Sequence, residues 1–339
     1  MPMNSTKHSM ASRSINKPSF IQTAIPWLLA VGLTVLSVLT GRYCLSLQEV
    51  LKGRGLDYQV FIQLRLGRTG TVILSGIALG VAGQVFQIVF RNPLAAPDTA
   101  GVASGASAGA ALSILLFSGV SGVTPLFSFA GGMIAVLTVI LLQTFTRRIG
   151  VGSLVICGIC VNALFQALLS YMKTAADQDH IIASIEFWLM GSFSGATLDT
   201  LWKMLPWVTV SLLGIGLIHR PIRLLAFEDD EAIMLGVPVL CTRVAALVLA
   251  TMAVSAVISQ TGLVSFIGLL APHIARQLSQ GKKKPFFFSA LSGAVLLLGA
   301  DILSRSIASA EIPISVLTSL LGVPTLFLLL FRRNRHEAT

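Results

Sequence analysis

Few side chains in this 339-residue chain have the type and spacing needed for chemistry on a bound molecule. Cys157 and Cys160 form a C-x-x-C pair, a spacing found at redox and metal sites, but polar flanks and a second pair are missing. Cysteines in an apolar run more commonly pack within a helix. His273 directly follows Pro272, which favours a helix bend over a metal ligand. We therefore expect no catalytic residue, no metal site and no cofactor bound by this chain.

The apolar runs of the sequence also lack the residue sets of membrane enzymes and of ion-coupled carriers. They contain no H-E-x-x-H motif, no paired carboxylates, and no serine, histidine and aspartate at one depth. A proton- or sodium-coupled carrier usually needs an acidic side chain in mid-membrane. None occurs in the second to fifth runs, and Asp301 and Glu311 are expected near the outer face. The sequence therefore disfavours both a membrane enzyme and an ion-coupled secondary transporter. Of these two alternatives, the secondary transporter is the stronger.

Composition identifies lipid as the solvent of this chain. It is 54% hydrophobic and 11% charged, with a mean hydropathy of +0.84, whereas soluble domains are about 25% charged. The net charge of +10 would indicate nucleic-acid binding in a soluble protein. In a membrane protein the same basic residues first report topology, so we expect membrane lipid and no nucleic acid as a partner.

Ten apolar runs predict spanning helices, for which about 20 residues are needed. They predict an all-α, polytopic membrane protein with about ten transmembrane helices in a single domain, residues 21–335, after a cytoplasmic tail, residues 1–20. The predicted spans are Ile25–Gly41, Thr69–Phe90, Thr99–Phe117, Leu126–Phe145, Val151–Met172, Leu201–Ile218, Val237–Ile258, Leu263–Leu278, Pro285–Leu303 and Pro313–Phe331.

Basic residues set the orientation of these spans, because Lys and Arg concentrate in cytoplasmic loops. Three basic residues precede the first span like the n-region of a signal peptide, but no small-x-small cleavage site follows, so we expect an uncleaved helix. The basic residues of the tail and of the loops after even-numbered spans are Lys7, Arg13, Lys17, Arg91, Arg147, Arg148, Arg220, Arg223, Lys282, Lys283, Lys284, Arg332, Arg333 and Arg335. Both termini are therefore expected in the cytoplasm. The basic outer loop after the first span needs another explanation.

A stiff polar elbow joins the second and third spans in the sequence FRNPLAAPDTAGVASGASAGA. Asn92-Pro93 and Ala96-Pro97 should end the helix and stiffen the turn, because a residue before proline avoids the helical region. The following Asp98, or its neighbour, could cap the next helix. An ordinary helix–turn–helix corner on the cytoplasmic side is the alternative.

A stripe of small residues follows the elbow. Glycine, alanine and serine dominate the positions from Gly101 to Gly109. Small side chains let helices approach each other closely in lipid, where packing drives association. The stripe therefore predicts a tight contact between the third span and a neighbouring helix.

One inner loop offers a short acidic helix, in the sequence FEDDEAIMLGV that begins at Phe227. Acidic residues suit the positive N-terminus of a helix, and Gly236 before Pro238 is a typical stop. The chain has no G-x-x-x-x-G-K-[ST] motif, so any ATP that drives it must be hydrolysed by another subunit. That subunit would push on this helix. A surface helix without a partner is the alternative.

Four segments together resemble the permeases of ABC importers for iron-siderophore complexes, haem and vitamin B12. The resemblance covers nearly the whole chain in the family's order. The segments are RLGRTGTVILSGIALGVAGQVFQIVFRNPLAAPDTAGVASGASAGA (65–110), LLAFEDDEAIMLGVP (224–238), GLVSFIGLLAPHIARQL (262–278) and GADILSRSIASAEIPISVLTSLLGVPTLFLLLFRR (299–333).

The resemblance implies a multi-subunit importer in the cell membrane of a prokaryote. A second permease subunit, identical or paralogous, would form a dimer with this chain. A cytoplasmic ABC ATPase dimer would bind ATP and Mg²⁺, and an extracytoplasmic binding protein would deliver substrate. A ferric siderophore is the expected substrate because it is frequent in the family, and haem and cobalamin are the alternatives.

The resemblance also assigns an outer docking site for the binding protein to Arg65, Arg68 and Arg305, which would meet its glutamates. Gly67 stands where the family more often has proline. Arginines at this depth could instead reach lipid head groups. Arg305 has a further alternative, since Asp301 lies four residues before it, within reach on one helix face.

Three further groups of residues follow from the resemblance. ATPase coupling, within residues 224–238, is assigned to Phe227, Glu228, Asp230, Glu231, Leu235 and Gly236. The translocation pathway is assigned to Gly158, Asn162 and Gln166, which core packing would explain equally well. The cytoplasmic exit is assigned to the loop Ile149–Ser153 and to Asn92, Pro93 and Leu94.

Overall fold

The structure is a computed structural model that describes residues 20–41, 43, 46–117, 122–145, 150–176, 179–279, 284–308 and 310–337. The described residues form helices and contain no strand. The helices are α1 (Phe20–Leu39), α2 (Leu47–Leu51), α3 (Leu56–Gln59), α4 (Gly67–Val89), α5 (Val102–Leu116), α6 (Val123–Phe145), α7 (Val151–Ala175), α8 (Asp179–Met190), α9 (Leu198–Leu217), α10 (His219–Leu224), α11 (Asp229–Met234), α12 (Val239–Thr261), α13 (Ile267–Ser279), α14 (Pro285–Ser306) and α15 (Ile314–Glu337).

The predicted all-α membrane fold is confirmed, because each predicted span coincides with a helix. The matching helices are α1, α4, α5, α6, α7, α9, α12, α13, α14 and α15. Six helical segments of the described chain are long and apolar enough to cross a membrane, and α1, α5 and α15 contribute shorter apolar stretches. The remaining helices were not predicted: α2, α3, α8 and α10, with a π-helical turn at Val60–Leu66 that joins α3 to α4.

Helix α4 lies at the centre of the bundle and packs against α9, α12, α13 and α14. Most of its side chains are buried. It meets α14 at a contact so close that a Cβ added to Gly76 would lie 2.5 Å from the carbonyl oxygen of Gly293. The small residues of α4 therefore let five helices share one core, as expected for packing in lipid.

The predicted stripe of small residues lies at a second close contact, between α5 and α6. A Cβ added to Gly105 would lie 2.5 Å from the carbonyl oxygen of Gly131, and one added to Gly109 would lie 2.2 Å from that of Phe127. Neither distance is possible for a real side chain. The expectation of a tight helix contact at this stripe is confirmed.

Two of the predicted spans begin three and four residues later than expected. The third begins at Val102 instead of Thr99, because residues Pro97–Ala100 form a 3₁₀ turn that ends at Gly101, which has a left-handed φ of 74°. The eighth begins at Ile267 instead of Leu263, after Phe266 with a φ of 64°. Helix α13 is consequently only about 20 Å long, less than a full span.

These two non-helical stretches face each other inside the bundle. The ring of Pro97 lies 3.3 Å from where a Cβ on Gly268 would be. Leu79, midway along α4, lines the same cavity as both stretches. The elbow was predicted to lie at a cytoplasmic corner. Its second half instead lies inside the bundle, where Pro97 and Asp98 line the cavity. Irregular backbone at such a depth is tolerated where it lines a cavity.

Candidate functional site

A cavity of about 300 Å³ lies among α4, α5, α7, α12 and the two non-helical stretches. Asn162 and Gln166 of α7 line it, as predicted for the translocation pathway. Gly158 does not line it: the residue lies beneath the 3₁₀ turn, where an added Cβ would be 2.4 Å from the carbonyl oxygen of Thr99. The other polar side chains of the lining belong to Asp98, Ser104, Ser107 and Ser265.

Local hydrogen bonds place Asp98 at this cavity instead of at a helix cap. The Thr99 hydroxyl donates to the carbonyl oxygen of Ala96, 2.6 Å, and the amide of Gly101 donates to the carbonyl oxygen of Asp98, 3.1 Å. Gly101 precedes the first turn of α5, and no side chain caps that turn. The suggested capping role of Asp98 or Thr99 is therefore wrong.

The carboxylate of Asp98 lies at the cavity, although the residue was predicted in a cytoplasmic elbow. The described residues provide it with no hydrogen-bond donor and no ion-pair partner. The Asp98 side chain is exposed and open to the cavity. Sequence patterns missed this residue because its position after Pro97 is typical of a cap.

At the inner end of the bundle, the short helix α11 presents an exposed apolar and acidic surface. Its exposed apolar side chains include Ile233 and Met234, and Met234 is 87% exposed. The six residues predicted for ATPase coupling are all exposed: Phe227, Glu228, Asp230, Glu231, Leu235 and Gly236. The helix is shorter than predicted, since it contains only Asp229–Met234.

The end of α11 has the geometry expected from Gly236. This glycine has a φ of 81°, its amide donates to the carbonyl oxygen of Ile233, 2.8 Å, and the amide of Val237 donates to that of Ala232, 3.0 Å. These two bonds are those of a Schellman motif. The prediction that the helix stops at Gly236 is confirmed.

Asp229 connects α11 to the elbow and to α12. Its Oδ1 accepts hydrogen bonds from Arg91 Nη2 and from Arg243 Nη2, the latter at 2.8 Å. Loss of hydration acts to raise the pKa of Asp229, but the hydrogen bonds and charges of Arg243 and Arg91 outweigh it, so the pKa lies below the ordinary value. The carboxylate therefore remains ionised at neutral pH and binds both arginines.

The predicted exit residues lie at two separate places. Asn92, Pro93 and Leu94 are exposed beyond the end of α4, where the Asn92 side chain accepts a hydrogen bond from the Leu94 amide, 2.9 Å. Ser153 lies in the first turn of α7 and donates to the carbonyl oxygen of Gly150, 2.8 Å. Ile149 lies outside the described residues. Their joint role at the cytoplasmic exit stays a prediction.

At the outer end, Arg68 is held inside the protein and does not present a free charge. It donates to Asp301 from Nε and Nη2, at 2.9 and 2.8 Å, and to Glu311 from Nη1 and Nη2, at 2.8 and 2.9 Å. Its side chain is 11% exposed and that of Asp301 is 0% exposed. Two carboxylates of this chain bind Arg68, and its role in docking another protein stays a prediction.

Arg305 and Arg65 hold the end of α1. Arg305 pairs with Asp301, 3.0 Å, which is the alternative considered from the i, i+4 spacing, and it also donates to the carbonyl oxygen of Thr40, 2.9 Å. Arg65 donates from Nη1 to the carbonyl oxygens of Val38 and Leu39, 2.9 and 2.7 Å. Only Arg65, among these three arginines, is partly exposed and has no carboxylate partner among the described residues.

The other candidate ligands have structural roles. His273 bonds through Nδ1 to the carbonyl oxygen of Leu269, 2.9 Å, and Arg276 donates to the side chain of Gln87, 2.7 Å, so both fill the bend at Pro272. Cys157 and Cys160 are free thiols. No group of three or more potential metal ligands occurs in the described part of the chain.

The fold and its inner and outer sites together define a polytopic transport permease. A sequence model of the FecCD transport family matches residues 28–332. The vitamin B12 import system permease BtuC of Salmonella typhi is 33% identical over 324 residues, with 92% of this chain and 96% of that protein covered. BtuC of Salmonella typhimurium shows the same identity and coverage. The chain belongs to the FecCD transport family, the permease subunits of ABC importers.

Solved structures agree with this assignment. A transporter assigned to the metal-chelate type of ABC transporters, in an inward-facing conformation, matches with a TM-score of 0.81 and 30% identity, with 92% of this chain and 99% of that one covered. PsaBC from Streptococcus pneumoniae in complex with Fab matches with a TM-score of 0.56 and 17% identity, which shows the fold alone. Family membership also excludes the ion-coupled carrier, which Asp98 would otherwise have favoured.

Proposed function

We propose that this permease moves a metal chelate, with a ferric siderophore as the first candidate, from an outer binding protein to the cytoplasm. The metal-chelate assignment of the structural relative supports this substrate class. The B12 permeases among the relatives support cobalamin as the second candidate. In either case the bound ATP and Mg²⁺ belong to a separate ATPase dimer, and this chain contributes the pathway and the coupling surface.

The observation that carries the proposal is the connection between α11 and the cavity. Helix α11 exposes apolar side chains at the inner face, and Asp229 at its start binds Arg91. Arg91 begins the elbow, which leads directly into the turn Pro97–Ala100 at the cavity wall. A push by the ATPase on α11 would therefore move the elbow and change the cavity between α4 and α7.

A second permease subunit would complete the pathway along α7. This helix contributes Asn162 and Gln166 to the cavity, yet only 22% of the residues in its most apolar stretch are buried within the chain. Exposed apolar side chains along it include Ile156 and Ile159, 63% and 58% exposed. A homodimer or paralogous heterodimer formed along α7 would cover these side chains and leave the polar ones facing a shared channel.

At the outer face, fewer positive charges are available for docking a binding protein than the three predicted arginines would supply. Three guanidinium groups and two carboxylates meet there, so one positive charge is in excess. Arg65 is the arginine without a carboxylate partner among the described residues. We assign the docking charge to Arg65 and a supporting role to Arg68 and Arg305.

The direct test is uptake by the complete transporter in proteoliposomes. Permease, ATPase and binding protein are reconstituted with ATP inside, and uptake of a labelled ferric siderophore, haem and cobalamin is compared. Accumulation of one of them that requires both ATP and the binding protein supports the proposal. Uptake that needs neither, or that follows an imposed proton gradient, would overturn it.

A further inference from the structure

The cavity contains one titratable side chain among its described lining residues, the carboxylate of Asp98. Amides and hydroxyls provide the remaining polar groups, and no described arginine, lysine or histidine lines the cavity. The carboxylate has no hydrogen-bond donor or ion-pair partner among the described residues. The side chain is exposed and open to the cavity, so its charge is available to a ligand or ion there.

Hydrogen bonds within the turn and close packing between α7 and α13 fix the position of Asp98. The 3₁₀ turn that carries Asp98 is closed by the Thr99 hydroxyl on Ala96 and ends at the left-handed Gly101. Gly158 and Gly268 leave room for the turn between α7 and α13, since a Cβ at either would lie 2.4 Å or 3.3 Å from it. Several independent features therefore hold Asp98 facing the cavity.

We propose that Asp98 makes the cavity selective for positive charge, so that it accepts a cationic group of the transported molecule, such as an ammonium, and disfavours an anionic group of equal size. This rests on the transport function proposed above. Asn162 and Gln166 would orient the bound group by hydrogen bonding. The volume of about 300 Å³ is at the lower end for small-molecule sites, which suits one cationic arm of a larger chelate.

Charge selectivity can be measured without knowledge of the substrate. A cysteine is introduced as Gln166→Cys into a chain whose four native cysteines are changed to alanine, within the complete transporter. Its reaction rate is compared between two methanethiosulfonates of similar size, one with a trimethylammonium group and one with a sulfonate group. The ratio of the two rates cancels differences in thiol reactivity and isolates the effect of charge.

The expected ratio favours the cationic reagent and falls at least about tenfold in Asp98→Asn, because both residues line one cavity and a charge there biases the local concentration of each reagent. Asp98→Glu should keep the preference. Asp98→Ala should lower the ratio as Asp98→Asn does, so that a second variant tests the inference if the first fails to fold.

The matched control is Ser184→Cys, on an exposed position of α8 outside the cavity. Its ratio should not respond to Asp98→Asn. Equal ratios at Gln166→Cys with and without the Asp98 carboxylate would overturn the inference. Because the readout is chemical labelling, that result would leave the proposed transport function standing, whereas failed uptake would leave the charge selectivity standing.

Discussion

Asp229 in α11 binds the guanidinium of Arg91, the residue that begins the elbow. Arg91 also donates from Nε to the carbonyl oxygen of Leu225, 2.9 Å, and has a φ of 45°, which is uncommon for a residue with a side chain. The two contacts hold the elbow to the segment that carries α11. A displacement of α11 would therefore act on the elbow through a charged hydrogen bond as well as through the chain.

Arg91→Ala should uncouple ATP hydrolysis from transport. Hydrogen bonds between charged groups contribute about 1.5–3 kcal/mol, so the loss should lower uptake per ATP by about tenfold or more. The ATPase subunits should still bind, because the exposed surface of α11 is unchanged. The measurement is the ratio of uptake to ATP hydrolysis in proteoliposomes with the binding protein present.

Lys203→Ala provides the control for this variant. Lys203 pairs with Asp199 on α9, where the two side chains are 60% and 69% exposed, and such a pair contributes little. The control should therefore transport normally. An Arg91→Ala transporter with an unchanged ratio of uptake to hydrolysis would show that the elbow moves without this contact.

The contact between Asp229 and Arg91 should be insensitive to pH across the physiological range. Because the folded-state pKa of Asp229 is lowered, its stabilising contribution is present above the ordinary value of 3.8 and is lost as the pH falls below about 4. Uptake per ATP should thus be constant between pH 5 and pH 8, apart from effects on the ATPase itself. A loss of coupling near pH 6 that disappears in Asp229→Asn would contradict this.

The apolar surface of α11 should be the binding site for the ATPase. Leu235 is 58% exposed, so Leu235→Asp removes no buried contact of this chain and should leave the permease folded. It should weaken co-purification of the ATPase at least several-fold, because a charge would enter an apolar interface. The control is Leu51→Asp in α2, where Leu51 is 85% exposed near the outer end. Equal ATPase binding by both variants would place the coupling surface elsewhere.

The sequence predicted the helices well and the site only in part. Long apolar runs determine spans directly, since hydrocarbon requires a helix to satisfy the backbone. Side-chain partners are set by tertiary contacts that no local pattern contains: Arg68 and Asp301 are 233 residues apart, and Arg91 and Asp229 are 138 apart. Asp98 was misread because a residue after proline has the same local pattern at a cap and at a cavity wall.

Gly105→Ala should destabilise the permease strongly, although it adds only one methyl group. The added Cβ would meet the carbonyl oxygen of Gly131 at 2.5 Å and the Cβ of Ala135 at 2.6 Å, so α5 and α6 must separate. Overpacking of this kind costs about 1–3 kcal/mol. Gly32→Ala in α1 is the control, because nothing lies within 4 Å of its Cβ. Thermal unfolding in detergent should show a lower midpoint for Gly105→Ala only, and equal midpoints would mean that the α5–α6 contact is loose.

Arg68 and Arg65 should respond differently to substitution, although both lie at the outer end of the bundle. Arg68→Ala leaves the fully buried Asp301 without the two hydrogen bonds that its Oδ1 accepts, and breaking a buried pair costs about 3–5 kcal/mol. It should therefore lower the unfolding midpoint strongly. A midpoint equal to that of the unchanged protein would show that Asp301 is satisfied by Arg305 alone.

Arg65 should instead affect the affinity of the binding protein. Arg65→Glu replaces attraction by repulsion and should weaken binding about five- to tenfold at low salt, since one exposed charge contributes roughly 1 kcal/mol. The difference between Arg65→Glu and the unchanged protein should shrink at high salt, because the Debye length falls to about 3 Å at 1 M.

Arg65→Lys distinguishes an effect of the charge on docking from an effect of the contacts between Arg65 and α1. Lysine keeps the charge but loses the guanidinium, whose Nη1 donates to the carbonyls of Val38 and Leu39, so docking by charge predicts near-normal affinity. Equal loss of affinity in Arg65→Lys and Arg65→Glu, without salt dependence, would mean that Arg65 only anchors α1.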